Sequence, residues 1–230
     1  MDTTQYQVFA DQQLGGFKDM ELLVSAFTHR SYLNEHKKTA TSHNERLEFL
    51  GDAVLELVVT HYLYSKFDEP EGILTNWRSA LVRTESISAA AQRLGFEQLL
   101  RLSRGEKRGS QRAREQIMAN CYEAIIGALY LEKGYKAAEK FIKDTLIPTF
   151  DEILDKGLWV DPKSRLQEVV QSKDGVTPIY RVLSEEGPDH DKTFIVGVYV
   201  ASTQKGQGTG ASKQEAQVAA AQEALKKYSG

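Results

Sequence analysis

From Asp19 to about Leu154 apolar residues recur at three- and four-residue spacing and prolines are nearly absent, which predicts successive amphipathic helices. The strongest are expected over 45–66, 83–94, 114–133 and 136–145. Near Asp155-Lys156-Gly157 the composition changes, and Asp161-Pro162 has the form of a helix start. Beyond it the order becomes helix, strands, helix. The stretch 163–171 reads as a helix with Leu166, Val169 and Val170 inward, and 179–183 reads as a strand. Phe194, Val196, Val198 and Val200 alternate with Ile195, Gly197, Tyr199 and Ala201, the period of a half-buried strand. Gly206 to Gly210 suggests a short third strand, with glycine supplying turns. Ser212 and Glu215 form a capping box, opening a helix expected to pack through Ala216, Ala219, Ala220, Ala224 and Tyr228. The expectation is an all-α domain over 1–155, a linker over 156–160 and a small α+β domain (α-β-β-β-α) over 161–230.

Composition agrees with two domains. A chain of 230 residues, 41% hydrophobic and 27% charged, has material for two cores. Its apolar runs are too short for a membrane span, since Glu56 interrupts the longest. The start, Met1-Asp2-Thr3-Thr4-Gln5, lacks the basic and apolar regions of a secretory signal. Cys121 has no second cysteine to pair with, which suits a reducing compartment, and a cytoplasmic location is expected. The net charge of -3 does not advertise a partner rich in phosphate. Residues 159–230 carry 9 Lys+Arg against 9 Asp+Glu, leaving 20 against 23 for the remainder. Affinity for a polyanion must therefore come from local patches.

The richest chemistry lies in Asn44-Glu45-Arg46-Leu47-Glu48-Phe49-Leu50-Gly51-Asp52-Ala53-Val54-Leu55. On a helix, Glu45, Glu48 and Asp52 share one face, while Leu47, Leu50, Val54 and Leu57 are expected to face the core. Like charges so placed repel by a few tenths of a kcal/mol per pair. A divalent cation would relieve that repulsion, and carboxylate oxygens suit Mg²⁺. A solvated acidic face fits the same pattern. Gly51 weighs against it, because glycine inside a helix costs about 1 kcal/mol and needs a packing reason. A second helix places Gln116, Asn120, Glu123 and Gly127 on one side. If Gly127 and Ala128 allow close approach, Glu48, Asp52, Asn120 and Glu123 would gather around one cation.

The stretches 44–55 and 119–127 resemble the two defining motifs of the ribonuclease III family. Thr28-His29-Arg30-Ser31-Tyr32 and Glu71-Gly72-Ile73-Leu74-Thr75 resemble its secondary motifs. Pro162-Lys163-Ser164-Arg165-Leu166-Gln167-Glu168 and Gly208-Thr209-Gly210-Ala211-Ser212-Lys213 resemble a double-stranded-RNA-binding domain. The resemblance implies a homodimer that cuts RNA duplexes, leaving 5′-phosphates, 3′-hydroxyls and short 3′ overhangs. It implies catalytic Asp52 and Glu123, with Glu48, Asp52, Asn120 and Glu123 as ligands of Mg²⁺, for which Mn²⁺ can substitute. Glu45 and Glu71 would be auxiliaries near the RNA or metal. Phe49 would pack at the dimer interface or in the core. Gln167 and Glu168 would reach one minor groove and His190 the next, with Lys213, Gln214 and Gln217 near phosphates. The segment 101–115 holds Arg101, Arg104, Lys107, Arg108, Arg112 and Arg114 against two acids. It reads either as a solvated loop or as an RNA-backbone contact.

Three positions depart from the family pattern. Asn120 stands where many members have aspartate; its amide oxygen can ligate Mg²⁺ but adds no charge. Gln214 and Gln217 stand where further basic residues are common, which implies modest RNA affinity with a shallow salt dependence. The asparagine also fits a catalytically impaired or engineered duplex-RNA-binding protein. A helical phosphohydrolase of small substrates would explain the carboxylates but leave the tail idle. His29, His43 and His61 lack partners at zinc spacing and read as packing or surface residues, and Cys121 reads as structural.

Overall fold

Helical periodicity in the first two-thirds of the chain is realised as a series of packed helices. The computed structural model describes residues 3–36, 42–188 and 192–228. The helices are α1 (Thr4–Gln13), α2 (Met20–Ala26), α3 (Arg30–Glu35), α4 (Glu45–Lys66), α5 (Glu71–Val82), α6 (Thr84–Arg93), α7 (Phe96–Leu99), α8 (Gln111–Lys133), α9 (Tyr135–Thr145) and α10 (Phe150–Asp155). The second part consists of α11 (Pro162–Asp174), β1 (Ile179–Glu186), β2 (Thr193–Val200), β3 (Thr203–Gly210) and α12 (Lys213–Tyr228). The chain divides into two compact units, Met1–Trp159 and Val160–Gly230.

In the first unit, α4 and α8 form the central pair. Leu47, Val54, Leu55, Val58, Val59 and Leu63 of α4 pack in one core with Ile125, Ile126 and Leu129 of α8. Leu57 does not join them. It is 57% exposed, because Leu55, Val58 and Val59 take the inward face at that level. The segment before α8 is shorter than expected. Ser110 caps the helix by accepting from the Ala113 amide, so Arg112 and Arg114 lie on α8 itself.

Lys156–Trp159, assigned to a linker from composition, closes onto the first unit. The Leu158 amide donates to the Ile153 carbonyl at 2.9 Å, and Arg83 Nη1 donates to the Leu158 carbonyl at 3.2 Å. The Trp159 ring meets Trp77 edge-on at 6.0 Å.

The second unit carries an antiparallel sheet in the order β1-β2-β3. Val196 and Val198 are fully buried, opposite Gly208 and Gly206 of β3. These glycines are inward-facing strand positions, and β3 is longer than the sequence suggested. A Cβ on Gly206 would lie 2.4 Å from the Ala220 carbonyl oxygen; one on Gly208 would lie 2.2 Å from the Ala220 nitrogen. The β2–β3 turn instead contains Ala201, at a left-handed φ of 54°. Helix α12 covers the sheet through Ala216, Ala220, Ala221 and Ala224. The Glu215 amide donates to Ser212 Oγ while Glu215 accepts from the Ala211 amide, which fixes the helix start.

Candidate active site and RNA-binding face

The α4–α8 crossing is set by two glycines. A Cβ on Gly51 would lie 1.7 Å from the Glu123 carbonyl oxygen, and one on Gly127 would lie 2.2 Å from the Leu47 carbonyl oxygen. Neither position has room for any side chain, so the backbones meet directly. That contact is the reason α4 carries glycine next to Asp52 despite its helix penalty.

The approach brings carboxylates from both helices into one field. Glu123 is pushed from its ordinary 4.5 up to about 8, chiefly by burial and then by the charges of Asp52 and Glu48. Glu48 is raised too, by burial first, then by Glu45 and Asp52, and a hydrogen bond from Asn120 partly offsets this. Asp52 is exposed at the mouth. Among the described residues, no three His, Cys, Asp or Glu side chains close tightly enough to cage an ion as they stand. The three carboxylates nevertheless supply hard oxygens whose mutual repulsion a cation would relieve, so the donor set fits a divalent ion.

The other expected members lie around this group in different ways. Glu45 is paired with Arg30 at 3.5 Å and lies 3.8 Å from His43 Nδ1. Glu71 opens α5 and accepts from Thr75 Oγ1, and its charge contributes to raising neither Glu48 nor Glu123. Asn120 Oδ1, the atom expected to face a cation, accepts from Gln116 Nε2 at 2.7 Å. Phe49 is 82% exposed on α4, which removes a role in the core of the single chain.

Arg101 and Arg114, of the basic residues flanking the start of α8, are engaged within the protein. The Arg101 guanidinium lies 4.2 Å from the Tyr32 ring centre and donates to Thr28 Oγ1, while Arg114 is paired with Glu97. Arg104, Lys107 and Arg108 remain exposed. His29 caps α3, its Nδ1 accepting from the Ser31 amide. Cys121 is fully buried against the Ala26 carbonyl, and burial pushes its thiol up, so both residues are structural.

In the second unit, Gln167 and Glu168 are exposed on α11. Gln167 and Gln214 line one cleft of about 400 Å³, together with Lys163. Lys163 Nζ donates to Gln217 at 2.7 Å, which ties α11 to α12. This lysine lies inside the motif but was not singled out from sequence; its place on the cleft depends on the α11–α12 packing. Lys213 is paired with Glu185 at 2.9 Å. His190 lies outside the described residues.

Comparison with known proteins matches both units. Residues 19–150 fit the ribonuclease-III-like family, and residues 162–228 fit the double-stranded RNA binding motif. Ribonuclease 3 of Enterococcus faecalis is 47% identical over 214 residues, covering 91% of each chain. That of Streptococcus sanguinis is 45% identical, covering 93% of this chain and 92% of its own. Among solved structures, a nuclease domain of Campylobacter jejuni ribonuclease III superposes with a TM-score of 0.54 at 36% identity, over 65% of this chain and 97% of that one. Helices that force acidic groups together, followed by a duplex-binding fold, thus find their counterpart throughout both units: the chain belongs to the ribonuclease III family of endoribonucleases.

Proposed function

We propose that this endoribonuclease cuts double-stranded RNA with Mg²⁺ held by Glu48, Asp52 and Glu123, and that Mn²⁺ can take its place. The observation that carries this reading is the convergence of the three carboxylates across the Gly51–Gly127 crossing. When bound, the ion lowers the pKa of a water that attacks phosphorus and steadies the leaving 3′ oxygen. Asp52 presents its carboxylate at the exposed mouth, and Glu123 gives up its proton as the site fills. Glu45 and Glu71 border the path of the RNA.

The second unit grips the duplex by shape and backbone, through Gln167 and Glu168 on α11 and Lys213, Gln214 and Gln217 on α12, with His190 reaching a second minor groove. Two copies act together, one per strand, leaving 5′-phosphates, 3′-hydroxyls and short 3′ overhangs. The exposed Phe49 supports such pairing, as does a Campylobacter jejuni nuclease-domain structure that describes a region involved in dimer formation. Among the described residues no helix is long and apolar enough to cross a membrane. We place the enzyme in cytoplasmic processing of ribosomal and messenger RNA.

A protein that only binds duplexes would retain the repulsion among these carboxylates without benefit. The test is incubation of long duplex RNA with and without Mg²⁺. Wild type is expected to cut only with the ion, and Glu123→Gln to lose more than about 100-fold in rate, beyond the usual loss from an outer-shell partner. Binding without cutting by wild type under all metal conditions would overturn the proposal.

A further inference from the structure

Positive charge at the starts of α11 and α12 is largely cancelled within the protein. Lys213 is paired with Glu185 at 2.9 Å, and Arg165 is paired with Glu168 at 3.6 Å. Gln214 and Gln217 carry no charge. Lys163 differs from these. Its Nζ donates to Gln217 Oε1 at 2.7 Å and lies 5.2 Å from the centre of the Tyr180 ring, so neither partner neutralises it. It lines the cleft of about 400 Å³ that Gln167 and Gln214 share. Asp161 also borders that cleft, but its Oδ2 is turned to the Ser164 amide and hydroxyl, each at 2.8 Å. The bond to Lys163 decides which end of Gln217 is presented. An ammonium can only donate, so it takes the amide oxygen and leaves the N–H₂ group to donate elsewhere.

We propose that Lys163 and Gln217 form a phosphate-binding pair for the RNA backbone, in which α11 supplies the charge that α12 lacks at position 217. This rests on the reading of the second unit as the grip on the duplex. The ammonium of Lys163 serves, from the neighbouring helix, the place that a basic side chain at 217 would serve. Gln217 adds a donor whose direction the ammonium fixes. Gln167 and Gln214, on the same cleft, add donors for the remaining phosphate oxygens. A neutral glutamine alone would displace no counterion from the RNA, whereas the pair displaces one.

The probe is a blunt-ended RNA duplex titrated with the full-length protein across a KCl series, with divalent ions withheld so that the RNA stays uncut. Lys163→Gln keeps a hydrogen-bonding link to Gln217 and removes the charge. It is expected to weaken binding to any duplex sequence and to reduce the slope of log affinity against log salt by about 1. Adding Gln217→Lys in that background returns the charge from α12 and is expected to restore the slope. Lys173→Gln removes a lysine held at the Tyr228 carbonyl near the end of α11 and is expected to leave the slope alone. If Lys163 only tied the helices together, Lys163→Gln would lower the melting temperature and leave the slope unchanged. That result, an equal fall for Lys173→Gln, or a slope that Gln217→Lys fails to restore would each overturn the inference. Gln167→Trp, which blocks the α11 face without altering charge, separates the two levels. Undiminished affinity in that variant removes the grip itself; a loss there, with Lys163→Gln keeping the full slope, removes only the phosphate pair.

Discussion

The two units solve the same packing problem with opposite electrostatic results. In each, glycines let one element lie with its backbone directly against a helix: α4 against α8 through Gly51 and Gly127, and β3 against α12 through Gly206 and Gly208. In the second unit the partners of those glycines are alanines, so the contact gains packing and brings no charge together. In the first unit the same closeness forces Glu48, Asp52 and Glu123 into one field and drives Glu123 up to about 8. Close packing serves cohesion alone in the second unit. In the first it holds a repulsive arrangement that an isolated helix would relax.

The sharpest way to break this comparison is to fill the glycines. Gly51→Ala should gain helix propensity yet destabilise the first unit by about 1–3 kcal/mol, because the new methyl meets backbone that cannot rotate away. Cleavage should fall with it. Gly208→Ala should cost a similar amount but act on the second unit, weakening duplex retention. Hydrogen exchange along the full-length chain checks this: protection should fall in α8 for the first variant and in β2 for the second. Loss in the same unit for both would dissolve the distinction.

A smaller effect is expected from pH. Glu123 holds its proton more tightly folded than unfolded, with its pKa rising from 4.5 to about 8. Below that window the group is protonated in both states and has no effect. As pH rises through the window the unfolded chain ionises first, so the metal-free protein loses stability until about pH 8, after which the penalty is constant. Mg²⁺ binding near pH 7 should therefore release protons and tighten as pH rises. Calorimetry in two buffers of different ionisation enthalpy measures that release. Equal observed heats in the two buffers, with no pH dependence of affinity, would contradict it.

The smallest effect should come from relieving the repulsion directly. Asp52→Asn is expected to raise metal-free stability by a few tenths of a kcal/mol while abolishing efficient cleavage. Thermal melts without metal read the gain, and a destabilised variant would mean that the carboxylates do not oppose folding.

Much of this was legible in the sequence because it is local. The periodicity of α4 and the alternation of β2 follow from side chains that each element carries itself. The capping box at Ser212 and Glu215 was equally visible. What escaped depends on partners distant in the chain. Leu57 has the spacing of a core residue, but which side of α4 is covered depends on what packs there. Gly206 and Gly208 fell in the expected short third strand, but the reason they must be glycine lay hidden, because their need for smallness comes from α12. Arg101 and Arg114 counted as free positive charge until Thr28, Tyr32 and Glu97 engaged them. The carboxylate set was foreseeable from spacing, whereas the direction of the Asn120 amide was not, since composition does not orient a side chain.

The seating of Trp159 on Trp77 has an optical consequence. These are the chain's two tryptophans, so its intrinsic indole emission arises wholly from that contact. Peeling the tether away from the nuclease unit would hydrate the Trp159 ring and uncover the side of Trp77 it meets, shifting the emission to the red. The unlabelled enzyme therefore carries its own reporter of whether the leash stays fastened while RNA is being held.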